Sequence, residues 1–195
     1  KEELTLTNLD EFGPDIIFFP HWSTKVPNEI FEKYDCICFH SSPLPFGRGG
    51  SPIQNMISKG FKSTEVCSLL MVEKFDAGPI FLRTEIGLHG NLSEILERIY
   101  NIIGEQIKIL LEEEIIPEEQ IGEPTFFPRL SGQDNMIVGK TGLEEVYDKI
   151  RMLDSEFYPS AYIHYESFLI EFRDAIFNEQ EIEAKVTIKL NNKDD

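Results

Sequence analysis

The stretch Phe39-His40-Ser41-Ser42-Pro43-Leu44-Pro45-Phe46-Gly47-Arg48-Gly49-Gly50-Ser51-Pro52 decides how the rest of the chain is read. It joins a strand-like run, residues 36–39, to a helix-like segment, residues 53–58, through a loop dense in proline and glycine. Proline fixes φ and glycine opens the positive-φ region, so this composition sets an irregular path. A second strand-like run, residues 65–72, delivers Asp76 into the turn Phe75-Asp76-Ala77-Gly78-Pro79. Strand ends that feed irregular loops are where open α/β sheets gather ligands. His40 and Asp76 are therefore expected to meet in one cleft.

Upstream, Ile16-Ile17-Phe18-Phe19 is a continuous apolar run, which fits a strand buried on both faces of a parallel sheet. Pro27-Asn28-Glu29-Ile30-Phe31 opens a short helix before the strand at residues 36–39. Strand, helix and strand in this order give the right-handed βαβ signal. Downstream, residues 65–72 and 79–86 read as a hairpin. Ile95, Leu96, Ile99, Ile102, Ile103, Ile107, Leu110 and Leu111 then recur at helical spacing, with Ser93 as the expected N-cap. Their stripe should pack on the sheet.

The predicted fold is α/β, a Rossmann-like and mainly parallel sheet flanked by helices, with a small α+β C-terminal unit. Residues 1–122 are assigned to the first unit; residues 123–195 hold a connecting segment and the second. In that second unit a helix at 143–153 precedes strands at 162–165, 168–172 and 183–190. The last alternates Ala184, Val186, Ile188 and Leu190 with polar residues, the pattern of one buried face.

The chain has 195 residues and 35 Asp and Glu against 18 Lys and Arg, a formal charge of −17. That balance argues against broad nucleic-acid binding, which needs a basic footprint. No apolar run approaches the ~20 residues that cross a bilayer, and no signal-peptide pattern is present. Three cysteines, Cys36, Cys38 and Cys67, read as reduced thiols of a cytoplasmic protein. No metal-ligand spacing occurs, so no metal is expected.

Taken alone, a strand-end histidine is more often a hydrogen-bonded core residue, and Asp before Ala-Gly an ordinary turn residue. Arg48 serves equally as a clamp for a phosphate or carboxylate and as a solvated loop residue. Trp22, the chain's single tryptophan, is a pocket wall or a core residue, and His21 divides evenly between pocket and surface. Cys38 lies two residues before His40, on the same strand face, and reads as a packed thiol ahead of a nucleophile.

Together, Cys38-Phe39-His40, Ser42-Pro43-Leu44-Pro45 with Arg48-Gly49, Pro52–Ile57 and Asp76-Ala77-Gly78-Pro79-Ile80 resemble the formyltransferase family that includes methionyl-tRNA formyltransferase. The likeness covers roughly residues 15–111. Tyr147–Asp154 followed by Tyr158-Pro159-Ser160-Ala161 is similar to the small C-terminal region of sugar N-formyltransferases.

The resemblance implies transfer of a formyl group from 10-formyltetrahydrofolate to an amino sugar, nucleotide-linked, with His40 and Asp76 exchanging the protons. It implies a folate seat at His21, Trp22, Ser23, Met71, Glu73 and Phe75, and acceptor contacts at Arg48, Gly49 and Gln54. The family's asparagine two residues before the histidine is replaced here by Cys38, a weak donor. Asn55 is expected to supply the missing amide as a catalytic group, with Gln54 as the other amide in reach. The family's first strand and glycine turn are not evident before Asp15, so an upstream segment is expected. The rival readings are a methionyl-tRNA formyltransferase-like enzyme, a formyl-folate hydrolase and a non-catalytic folate-binding relative. The expected partners are small molecules, with neither nucleic acid nor membrane, and the C-terminal strands offer a candidate homodimer face.

Overall fold

The computed structural model describes residues 4–22, 24–139 and 142–191. From the N-terminus, α1 (Leu6–Phe12) leads into β1 (Ile16–Phe19), α2 (Asn28–Phe31) and β2 (Asp35–His40). The His40 loop passes through the two-residue strand β3 (Arg48–Gly49) into α3 (Pro52–Ser58). A hairpin of β4 (Ser63–Leu70) and β5 (Ile80–Gly87) precedes the long helix α4 (Leu92–Glu112). A connector holding β6 (Phe126–Phe127) reaches α5 (Leu143–Arg151), and the meander β7 (Ala161–Tyr165), β8 (Phe168–Phe177) and β9 (Ile182–Leu190) follows.

The main sheet runs β1-β2-β4-β5. β1 and β2 pair in parallel, as the strand-helix-strand signal requires. β2 with β4 and β4 with β5 are antiparallel, so over the described strands the sheet is mixed rather than mainly parallel. The direct hairpin between β4 and β5 imposes one of those pairings. β1 lies at the edge of the described sheet, and only Phe19 of its four residues is fully buried. Edge position leaves the apolar run half-covered where the sequence points to burial on both faces.

α4 buries Leu92, Ile95, Leu96, Ile99 and Ile103 against β4 and β5. Each such side chain contributes about 1.5–3 kcal/mol when fully buried. Its cap is Asn91, two residues before the expected Ser93. The Asn91 side chain accepts from the Glu94 N–H at 3.0 Å, and the Glu94 carboxylate accepts from the Asn91 N–H at 2.9 Å. Ser93 instead donates to the Asp154 carbonyl and ties the helix start to the C-terminal half.

The largest apolar cluster is continuous across residue 122. It joins Met56 and Ile57 of α3 and the α4 stripe to Phe127, Ile150, Met152 and Ala161. The expected buried face of β9 is a difference: Val186, Ile188 and Leu190 are 47%, 63% and 69% exposed. β9 is the outer strand of a three-stranded meander, and only Ile182 of its residues packs against the main cluster. β8 runs to Phe177, five residues beyond its expected end, through an irregularity at Arg173–Ile176.

Candidate active site

His40 ends β2 and is 7% exposed. Its Nε2 lies 2.9 Å from the Gly47 carbonyl oxygen. A carbonyl only accepts, so Nε2 carries a proton and the neutral ring keeps its lone pair on Nδ1. Nδ1 faces Asp76 Oδ1 at 3.6 Å. A proton taken up at Nδ1 is therefore met by a carboxylate. The histidine and the aspartate come together as their positions at strand ends suggest.

The geometry is held from several sides. Gly47 is fixed by its N–H on Thr125 Oγ1 at 2.8 Å, and the Arg48 N–H donates to the Thr125 carbonyl at 2.9 Å. β3 pairs in parallel with β6, so the connector braces the loop that orients His40. Asp76 adopts φ 53°, a left-handed conformation uncommon outside glycine, which aspartate, asparagine and histidine adopt more readily than other residues. Its Oδ2 accepts from the Gly49 N–H at 2.8 Å. Gln120 donates to the carbonyls of Asp76 and Gly78, both at 2.8 Å. Gly78 is required at its place, because a Cβ there would stand 1.8 Å from the Leu70 carbonyl oxygen.

A cleft of about 570 Å³ opens beside this pair, lined by His40, Cys38, Gly49, Gln54, Phe75 and Asp76 and also by His21, Trp22 and Arg129. An adjoining pocket of about 90 Å³ shares Trp22, Lys25, Phe75 and Asp76 with it and adds Met71 and Glu73. The six expected folate residues thus divide. His21, Trp22 and Phe75 line the cleft, Met71 and Glu73 only the adjoining pocket, and Ser23 lies outside the described residues.

Two expectations need correction. Asn55 is not available as the replacement amide, because its Nδ2 donates to the carbonyls of Gly50, Ser51 and Pro128 at 3.2, 2.9 and 3.0 Å. It locks the loop onto the connector and does not line the cleft. Gln54 does line it, and its amide makes no hydrogen bond among the described residues. Arg48 is absent from the cleft wall, and its Nε and Nη2 donate to Gln120 Oε1 at 3.2 and 2.7 Å. Its task is to hold Gln120, and through it the Asp76 turn.

Cys38 sits between the two pockets with its thiol 3.8 Å from the Leu69 carbonyl. Burial, then the charge of Asp76, push it up to about 12, so it stays protonated and is no nucleophile near neutrality. Burial likewise raises Cys36 and Cys67 to about 11. Sequence reasoning missed Gln120, Thr125, Arg129 and Tyr158. They lie in segments without periodicity, and non-local contacts bring the connector to the site: the β3–β6 pairing and the bonds of Gln120, Pro128 and Leu130 to the loop and the Asp76 turn.

A family model described as formyl transferase matches residues 1–113. A second, described as methionyl-tRNA formyltransferase, C-terminal domain, matches residues 132–189. Methionyl-tRNA formyltransferase of Bacillus mycoides (strain KBAB4) is 36% identical over 159 residues, which cover 76% of this chain and 50% of that protein. The solved methionyl-tRNA formyltransferase from Clostridium thermocellum is 40% identical with a TM-score of 0.93, covering 96% of this chain and 83% of that one. A 4-N formyltransferase from Francisella tularensis shares the fold at 17% identity and a TM-score of 0.64, covering 84% of this chain and 72% of that one. The chain spans about half the length of the curated relatives it matches.

Proposed function

The chain belongs to the formyl transferase family, and on that premise we propose that it moves a formyl group from 10-formyltetrahydrofolate to the amine of a methionyl-tRNA. The observation that carries the reading is the His40–Asp76 pair, with Nδ1 unprotonated in the neutral ring and facing both carboxylate and cleft. The acceptor is argued from the 36% and 40% identity to two methionyl-tRNA formyltransferases, against 17% to a 4-N formyltransferase. That ordering replaces the amino sugar expected from the C-terminal residues.

The donor supplies an activated formyl carbon. Its pterin suits the smaller pocket where it opens into the cleft, with walls that include Trp22, Val26, Met71 and Phe75, while Lys25, which lines both, offers a cation to the donor's carboxylates. His40 Nδ1 takes the proton that the attacking amine loses as its C–N bond forms, and can return it to the departing nitrogen. Asp76 stabilises the imidazolium in between. Gln54 is the amide placed to donate to the developing oxyanion, a role the Cys38 thiol fills poorly.

A second reading keeps a nucleotide-linked amino sugar as acceptor, favoured by the charge of −17, which suits a polyanionic partner badly. One assay separates the two: formyl transfer from 10-formyltetrahydrofolate to methionyl-tRNA and to a panel of nucleotide-linked amino sugars, with His40→Ala alongside. Formyl-methionyl-tRNA should accumulate, and the variant should lose about 10²–10⁴ in turnover while still binding tetrahydrofolate. Transfer to a sugar alone would install the second reading, and transfer undiminished in His40→Ala would remove the proposed chemistry.

A further inference from the structure

Besides the His40–Asp76 pair, the cleft carries a second group of side chains that the proposed proton chemistry does not use. His21 and Tyr100 meet edge to face, with ring centroids 5.8 Å apart. His21, Tyr158 and Arg129 all line the cleft, as does Ile99 of α4. Arg129 makes no hydrogen bond or ion pair among the described residues, yet its charge reaches both His21 and Tyr158. Partial desolvation, then that charge, hold His21 below its ordinary value and keep its ring neutral.

The backbone under Arg129 is fixed. The Gly50 N–H donates to the Phe127 carbonyl at 3.1 Å, and the Leu130 N–H donates to Ser51 Oγ at 3.0 Å. Gly50 approaches so closely that a Cβ there would fall 2.5 Å from the Arg129 Cα. The His40 loop therefore sets the position of both the reacting histidine and this cation.

Charge singles this group out further. Asp76 is the one carboxylate among the described residues lining the cleft, which also holds the cations Lys25 and Arg129. A chain with 35 acidic and 18 basic residues has cleared acid from this surface. Lys25 is shared with the smaller pocket; Arg129 is not. Two cations at separate places provide for two anionic ligands. Aromatic faces beside a guanidinium are the chemistry that holds a base by stacking and a phosphate by charge.

We propose that His21, Tyr158 and Arg129 form a seat for a phosphorylated nucleoside of the acceptor, with the base against the rings and the phosphate on Arg129. The seat rests on the formyl-transfer reading and deepens it. A phosphorylated nucleoside occurs both at the 3′ end of a tRNA and in a nucleotide-linked sugar, so the probes must separate the two.

Trp22 is the chain's single tryptophan and lines the cleft, so its fluorescence reports binding without any acceptor turnover. The titration uses AMP, dTDP, inorganic phosphate and tetrahydrofolate on the wild-type chain, Arg129→Ala, Arg129→Lys and Tyr158→Leu. A nucleotide should bind more tightly than phosphate, and Arg129→Ala should weaken it about tenfold or more while leaving tetrahydrofolate unchanged. Arg129→Lys should recover part of that loss, and the acceptor KM should rise by a similar factor with kcat held. AMP above dTDP assigns the seat to a tRNA end, and the reverse order to a nucleotide-linked sugar. No nucleotide binding by the wild-type chain, or a loss in Arg129→Ala confined to tetrahydrofolate, overturns the seat. Nucleotide binding that depends on Arg129 in a chain that formylates no acceptor would leave the seat standing and sink the transfer reading instead.

Discussion

The loop from His40 to Ser51 is tied to distant parts of the chain, whereas the sheet of β7, β8 and β9 is tied mainly to itself. Thr125, Phe127, Leu130, Asp76 and Gln120 all bond to the loop, and every one lies far from it in sequence. The meander holds its strands by ladder hydrogen bonds and is anchored to the core through Ala161, Phe172 and Ile182 and through Arg173, which donates to Asp154, Ser155 and Tyr158. The contrast teaches where precision is kept. Placing Nδ1 of His40 against Asp76 needs partners converging from several segments, since a shift of about 1 Å at a reacting group can cost 10²-fold. A twisted three-stranded sheet tolerates looser anchoring.

The sharpest break of this comparison is Gly78→Ala. The added Cβ would meet the Leu70 carbonyl oxygen at 1.8 Å, a backbone atom that cannot swing aside. The turn carrying Asp76 must then move. Loss of about 3 kcal/mol in stability is expected, read by urea unfolding, together with loss of activity in what remains folded. Unfolding like the wild type would mean the turn has slack and the loop is not over-determined.

Gln120→Leu acts on the same network more gently. It removes the acceptor for Arg48 and the donor to the carbonyls of Asp76 and Gly78 without touching any group that reacts. A fall of about tenfold in kcat/KM is expected, or about 1.4 kcal/mol in transition-state stabilisation, with the bound-folate affinity nearly kept. Unchanged turnover would show that Gly49 alone suffices to hold the Asp76 carboxylate.

Gln120 was hidden from a reading of the sequence because its contacts are non-local, whereas Gly78 stands in the Asp76 turn that the sequence shows. What was legible was local: the apolar period of α4, the βαβ order around Ile30, and a histidine and an aspartate each placed at a strand end. Pairing of those two followed from the general behaviour of strand ends. The assignment of Asn55 failed because sequence shows which amides stand near a loop and not which carbonyls claim them. Arg48 failed likewise, since its partner Gln120 lies 72 positions away. The β9 error has a different source. Alternation shows that a strand has two unlike faces, but only the surrounding layers decide which face is covered.

That last point yields the mildest substitution and the one that tests the other side of the comparison. Ile188 is 63% exposed on β9 and pairs with Ile170 of β8 through the ladder, not through core packing. Ile188→Thr keeps a β-branched side chain on the strand and replaces an ethyl group on the water-facing surface with a hydroxyl. Stability should change by no more than about 0.5 kcal/mol, as for other exposed positions. The unfolding midpoint should also be independent of protein concentration. A larger loss, or a midpoint that rises with concentration in the wild type and not in the variant, would mean a second copy covers Val186, Ile188 and Leu190. The alternation in β9 would then describe a buried face after all, one completed by another chain, and the looseness ascribed to this sheet would belong to the isolated subunit.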